Sequence, residues 1–333
     1  MTAPQSEATA ASLGAAPTRQ RKWGSLAARW VPLALVVLGC VYLGRTVDVA
    51  ALEASLLTVR PWPLGMALVF AALGVVAHAA YWWVLVNTAS PVGLRAMVIY
   101  SFASYATNTF VPMRAGEALR VWLIQRRHGV PVRMSAAVIA LEKIADVASL
   151  LILVTPLAWL IPDLPPSVAQ ALRILPCIVL AGVVAVAIAS RHHVRWSFLE
   201  GFAVVRRPAV IGAGFGFILL AWVFDVCAIL SVLLAVHVTP TLEEALLVIL
   251  CVNIAIAIPA TPGQVGTHEL GSTIALRMVG VPEAQAIPFA LFYHATQLLP
   301  ILLIGLTSAR ALSKEADAPP GLESRAEPEA SSV

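Results

Sequence analysis

Asn253 to Glu269 reads NIAIAIPATPGQVGTHE, and the fold turns on how this stretch is read. An apolar helical pattern runs into it, and a second helix leaves through His268 and Glu269. Between them, Pro259 and Pro262 cannot continue a helix, and Gly263 and Gly266 allow backbone angles other residues resist. The segments around the break are apolar enough to lie in lipid, where each bare backbone polar group costs several kcal/mol. A break at that depth persists only if it is enclosed by protein or lines a wet cavity, so it marks the first place to look for a site.

The rest of the chain supports that setting. Of 333 residues, 59% are hydrophobic and 12% are charged, where soluble domains carry about 25%. Long apolar runs rather than short alternating segments exclude a transmembrane barrel. The net charge of +4 is no nucleic-acid signature. The expected fold is therefore an all-α integral membrane protein. Cys40, Cys177, Cys227 and Cys251 all fall in apolar segments without metal-ligand spacing and read as small core residues. Val37 to Cys40 faintly resembles a lipoprotein signal, but it begins too far from the amino end, and the segment is read as an uncleaved span.

Residues 1–28 are rich in Ala, Ser and Thr and read as a disordered cytoplasmic arm. Residues 29–311 form the membrane domain, in halves of about 29–162 and 167–311, and 312–333 form a disordered tail. Apolar segments cover about Trp30–Leu43, Trp62–Val86, Leu94–Pro112, Ser135–Ile161, Val168–Ser190, Ala209–Val236, Leu242–Ile258 and Ile287–Leu306. If all of them crossed, the arginine-rich connector from Arg114 to Arg133 would lie outside, against the positive-inside rule. If instead the chain turns back at Pro112 and again at Pro259–Gly263, every basic cluster lies inside and the Glu243/Glu244 connector lies outside. The expectation is about six crossings and two re-entrant helical hairpins, with both termini cytoplasmic in a bacterial inner membrane.

Both breaks carry the same ordered features. The first reads Asn108, Pro112, Gly116, Glu117, then Gly129-Val130-Pro131 and Ala136. The second reads Asn253, Pro259, Pro262-Gly263, Gly266, Glu269, then Gly280-Val281-Pro282 and Ala286. Three crossings and one hairpin per half would make the halves inverted repeats, an arrangement that places transporter sites near the midplane.

The turn Pro262 to Thr267 opens a helix, so free amides and the positive helix end converge there, suited to a phosphate or carboxylate. Glycines that merely permit a tight turn are the plainer alternative. Arg114 beside the first break could grip a phosphate, and Glu117 and Arg120 share a helix face. Glu142, Lys143 and Asp146 lie in a long apolar helix, where each charge costs roughly 2.5–3.5 kcal/mol, so they must face the interior, toward Arg114 or Arg120. A structural ion-pair network and proton coupling are both open for them. Asp225 needs a buried partner, with His294 and Gln297 as candidates. His268 and Glu269 suit a proton-titrating or headgroup-contacting role better than a metal, and no metal or cofactor is expected. No nucleophile elbow, Walker-type loop or HExxH is present, so catalysis is not expected.

Together, VPMRAGEALR at Val111–Arg120, Gly129-Val130, Glu142-Lys143-x-x-Asp146 and IPATPGQVGTHE at Ile258–Glu269 resemble the paired signatures of the lysylphosphatidylglycerol synthase membrane region, also called the flippase-like family. The similarity covers about Trp30 to Arg310. Lys143 stands where the family has Arg, and Gln264 where it has a second Gly. The resemblance implies a membrane domain that moves lipids between leaflets. It does not bring synthase activity with it, because the chain stops too early for a soluble aminoacyl-transferase domain. The functional expectation is a translocator of a phosphate-bearing phospho- or polyprenyl-type lipid, contacted by Asn108, Arg114, Glu117, Arg120, Glu142, Asp146, Asn253, Pro262, Gly263, Gly266 and Glu269. Two alternatives remain: a small-solute secondary transporter, and a non-catalytic accessory subunit of a lipid- or glycan-modifying enzyme, which would be its partner.

Overall fold

A computed structural model describes residues 53, 57–111, 115–162, 166–191, 207–257 and 262–316. The amino-terminal arm, the span expected at Trp30–Leu43 with Cys40, Pro112, Arg114, Pro259, and most of the Arg191–Arg207 loop and of the tail lie outside the described residues.

All regular structure among the described residues is helical. The order is α1 Pro61–Val86, α2 Leu94–Phe110, α3 Ala115–His128, α4 Val132–Val154, α5 Leu157–Leu160, α6 Pro166–Arg191, α7 Pro208–Ala235, α8 Leu242–Ile256, α9 Thr267–Met278 and α10 Glu283–Ala316, with a 3₁₀ turn at Pro262–Gln264 before α9. The expected Ser135–Ile161 segment divides at Thr155-Pro156 into α4 and α5, where the proline lacks the N–H that would continue the ladder. Pro61–Val86, Pro208–Ala235 and Glu283–Ser308 are long and apolar enough to cross a membrane. The 23 residues of α4 are also long enough, but Arg133, Glu142, Lys143 and Asp146 lower its apolar character. By contrast, α2, α3, α8 and α9 have 17, 14, 15 and 12 residues. At 1.5 Å per residue they reach about 18–26 Å, short of a hydrocarbon layer about 30 Å thick.

These four short helices form two hairpins. A Cβ added to Gly116 on α3 would lie 1.9 Å from the Ser104 carbonyl oxygen of α2, and one on Gly271 of α9 would lie 2.8 Å from the Val252 Cα of α8. Each return helix therefore lies backbone to backbone on its partner, a contact only glycine permits. Each also ends alike, with a left-handed glycine (Gly129 at φ 66°, Gly280 at φ 81°), then Val-Pro and a long helix. Here the repeated Gly-Val-Pro is a helix stop followed by a helix start.

The scaffold between the hairpins is the antiparallel pair α1 and α7. Arg60 N–H donates to the Ala235 carbonyl at 3.1 Å at one end, and Gly214 packs on Leu85 at the other. Two apolar cores occupy the two ends. One gathers Ala79–Val86, Val92, Met97, Leu123, Val130, Val138 and Ile218, which include the base of the first hairpin. The other gathers Ala67, Val154, Val226–Val236, Ala245–Val252, Leu276 and Phe289, with the base of the second. The hairpins thus enter the bundle from opposite ends, and their tips meet. A Cβ on Gly263 would lie 3.4 Å from the Thr109 methyl group.

Candidate functional site

Between the two apolar cores the interior is polar. Its first half is built on α1, α3 and α4. Arg120 and Glu142 are 2% and 1% exposed and pair at 3.1 Å. The same Glu142 oxygen, Oε2, also accepts from the Trp82 indole N–H at 2.9 Å, and the Arg120 guanidinium lies over the Trp82 ring at 4.0 Å. Arg120 still keeps Nε and Nη1 buried without an acceptor. Lys143 stands 3.5 Å from Glu117 and 3.8 Å from Asp146. Glu142 and Asp146 do share a face, and His78 on α1 faces both, at 3.5 Å and 4.0 Å.

The second half is built on α7, α9 and α10. Gly263, Gln264 and Gly266 all take positive φ (62°, 61° and 86°), so the break is a left-handed turn with one non-glycine in it. Glu269, in the first turn of α9, accepts from the Gly266 amide at 2.7 Å. Its other oxygen meets His294 Nδ1 at 2.5 Å, and His294 Nε2 reaches the Gly263 carbonyl at 2.9 Å. His268 stacks on His294 with ring centroids 4.4 Å apart. Asp225 accepts from Tyr293 at 2.8 Å and from Gln297 at 2.5 Å.

The expected residues divide accordingly. Arg120, Glu142, Asp146 and Glu117 share one cluster, and Gly263, Gly266 and Glu269 share the other. Asn108 spans the first break, its Oδ1 accepting from the Gly116 amide at 2.8 Å. Asn253 instead donates back to the Ile249 carbonyl of its own helix at 2.9 Å. Pro262 opens the 3₁₀ turn. The Gly266 amide, offered by the sequence to an external anion, is held by Glu269. Of the two partners proposed for Asp225, Gln297 binds it, while His294 turns to Glu269 and Tyr293 takes the remaining place.

His78 and Trp82, which no motif singles out, complete the first cluster, and His294, one of two candidates for Asp225, pairs with Glu269 instead. The available signal was composition: a histidine inside an apolar membrane helix is costly unless it faces a polar partner. His78, Glu142 and Asp146 also place ligand-type atoms within 4.8 Å of one another, near enough for one cation. Arg120 and Lys143 already supply positive charge to those carboxylates, however, so an ion there would meet their repulsion.

The sequence profile of the lysylphosphatidylglycerol synthase TM region matches residues 29–305. The chain belongs to this family. Neither a curated protein nor a solved structure matches it. The matched region is the family's membrane part, in keeping with a multi-pass membrane protein related to lipid modification or lipid movement.

Proposed function

We propose that the protein carries a phosphate-bearing lipid between the two leaflets of its membrane, without itself catalysing a covalent change. The observation that carries this reading is the meeting of the hairpin tips, at Thr109 and Gly263, beside buried ionisable groups. Hydrocarbon excludes such groups unless they face each other or a polar passenger. In this reading the hairpins are re-entrant, one from each side, and the two halves are inverted repeats. The headgroup passes between the tips while the acyl or prenyl tails stay in lipid. Arg120 offers the two donors that the protein leaves unfilled, and Arg114 a further guanidinium beside the first break. The Pro262–Gly266 turn contacts the headgroup where Glu269 yields, and Glu117, Glu142 and Asp146 balance the charge.

Orientation follows from charge. Arg126, Arg127 and Arg133 lie at the end of the bundle where α7 begins at Arg207, and the Arg127 guanidinium reaches the Leu312 carbonyl at 3.4 Å. Glu243, Glu244 and Glu283 start helices at the opposite end. The basic end is therefore cytoplasmic, in a bacterial inner membrane.

The test is purified protein in liposomes carrying fluorescent phospholipid, with an impermeant quencher outside. The wild type is expected to expose inner-leaflet lipid to the quencher, and Arg114→Ala to slow it at unchanged protein level. Equal rates with and without protein, across phospholipids and a polyprenyl phosphate, would rule the reading out. Uptake of a soluble solute with no lipid exchange would favour the small-solute alternative.

A further inference from the structure

His294 has both ring nitrogens against oxygen atoms at bonding distance, one from a carboxylate and one from a carbonyl. A carbonyl only accepts, so Nε2 must carry a hydrogen. Nδ1 then faces Glu269 either as N–H toward a carboxylate or as a lone pair toward a protonated carboxyl. Both descriptions contain one proton between the two residues, and the pair is neutral. We infer that Glu269 and His294 form a proton-binding site that latches the second break, and that releasing this proton unlatches it.

The consequence of release can be worked out atom by atom. When the shared proton leaves for water, the pair becomes a carboxylate beside a neutral imidazole. A single N–H then serves two acceptors. If it stays on Nε2, the Nδ1 lone pair lies against carboxylate oxygen at 2.5 Å. If it moves to Nδ1, the Nε2 lone pair lies against the Gly263 carbonyl at 2.9 Å. One contact must open in either case. Each of them ties α10 to the turn whose Gly263 touches Thr109, so opening frees one tip from the wall that positions it.

The surroundings suit a single proton. On α9, His268 stacks on the His294 ring, and two rings 4.4 Å apart cannot both be charged cheaply, so the stack holds at most one positive charge. On α10 itself, Tyr293 lies against His268 and donates to Asp225 of α7. Beyond Asp225 stands His78 of α1, which faces Glu142 and Asp146 of α4, themselves held by Arg120 of α3 and Lys143. The α2 helix turns Tyr105 toward His78 and presents Thr109 to the turn, while α8 brings Cys251 against Gly271. Titratable groups thus run from one hairpin to the other, the pattern by which membrane transporters pass protons. Coupling of lipid movement to a proton gradient rests on the lipid-carrying reading; the latch does not.

Glu269→Gln is the decisive variant. Its amide oxygen can still accept from Gly266 and its NH₂ can donate to Nδ1, so the latch persists without a removable proton. A single cysteine at Val265, with the four native cysteines replaced, reports the turn by its labelling rate in vesicles. Rates are compared at about pH 5 and about pH 9, which together enclose the range of about pH 5 to 8 in which a free imidazole changes charge. Labelling is expected to rise several-fold more with pH in the wild-type latch than in Glu269→Gln or in His294→Gln, the second variant should the first fold poorly. Parallel pH profiles in all of them would overturn the site. In the liposome assay, a pH difference across the membrane should change wild-type lipid exchange and leave Glu269→Gln unresponsive; exchange indifferent to the gradient would overturn the coupling. Absence of any lipid exchange, with the labelling difference intact, would sink the lipid reading and support the proton site.

Discussion

Arg120 shows how much one buried side chain decides. Its charge is held by Glu142 and its plane by Trp82, while Nε and Nη1 have no acceptor at full hydrogen-bond distance and Tyr105 stands beside them. Removing one member of such a pair leaves the other charged and unpaired, whereas replacing both can be nearly neutral. Arg120→Met is therefore expected to cost roughly 3–5 kcal/mol of stability in a detergent unfolding titration. The Arg120→Met/Glu142→Met double variant should recover most of that loss while failing to move lipid. Gln264 offers the opposite case. Its φ of 61° is a left-handed conformation that an ordinary residue adopts at about 1–2 kcal/mol, and glycine adopts freely. Gln264→Gly should raise the unfolding midpoint. A fall would show that the glutamine side chain holds the turn in a way its backbone does not reveal.

The hairpins stand or fall on their glycines. Gly116→Ala must push α3 off the Ser104 carbonyl, and Gly271→Ala must push α9 off α8. Overpacking of this kind costs about 1–3 kcal/mol. Gly65 of α1 has open space around it, so Gly65→Ala is the matched control and should hold or slightly raise the melting temperature in the same assay, by the helix preference of alanine alone. Much of this was readable beforehand. Proline placement located both breaks, and α2 and α8 begin where the apolar segments Leu94–Pro112 and Leu242–Ile258 begin and end two residues before them. What periodicity could not supply was pairing across helices. Nothing local to His294 distinguishes Asp225 from Glu269 as its partner, because both choices depend on how α7, α9 and α10 rotate against one another. Asn253 misled for a related reason. Its place in the repeat matched Asn108, but a helical asparagine can bond back to its own preceding turn, and this one does.

At the scale of the molecule, charge distribution and packing agree. The end carrying Arg126, Arg127, Arg133 and Arg207 also carries the base of the first hairpin, as the positive-inside argument required of the connector after Pro112. Cysteines placed at Arg133 and Glu243 should be labelled from opposite faces of the membrane, the first from the cytoplasm. Labelling of both from one face would remove the two-sided arrangement and the lipid path with it.

The polar interior also bears on how the chain is made. Glu142 and Asp146 of α4 find their partners in α1 and α3, which leave the ribosome earlier, so these buried carboxylates meet their counter-charges on arrival. Asp225 has no such luck: Tyr293 and Gln297 emerge some seventy residues later. Until then α7 rests in the bilayer with a carboxyl group whose two hydrogen-bond donors have not been made, only His78 of α1 standing near it, and α7 is the most apolar of the three long spans. That surplus of greasy surface suits a segment obliged to wait for the last helix of the nascent protein.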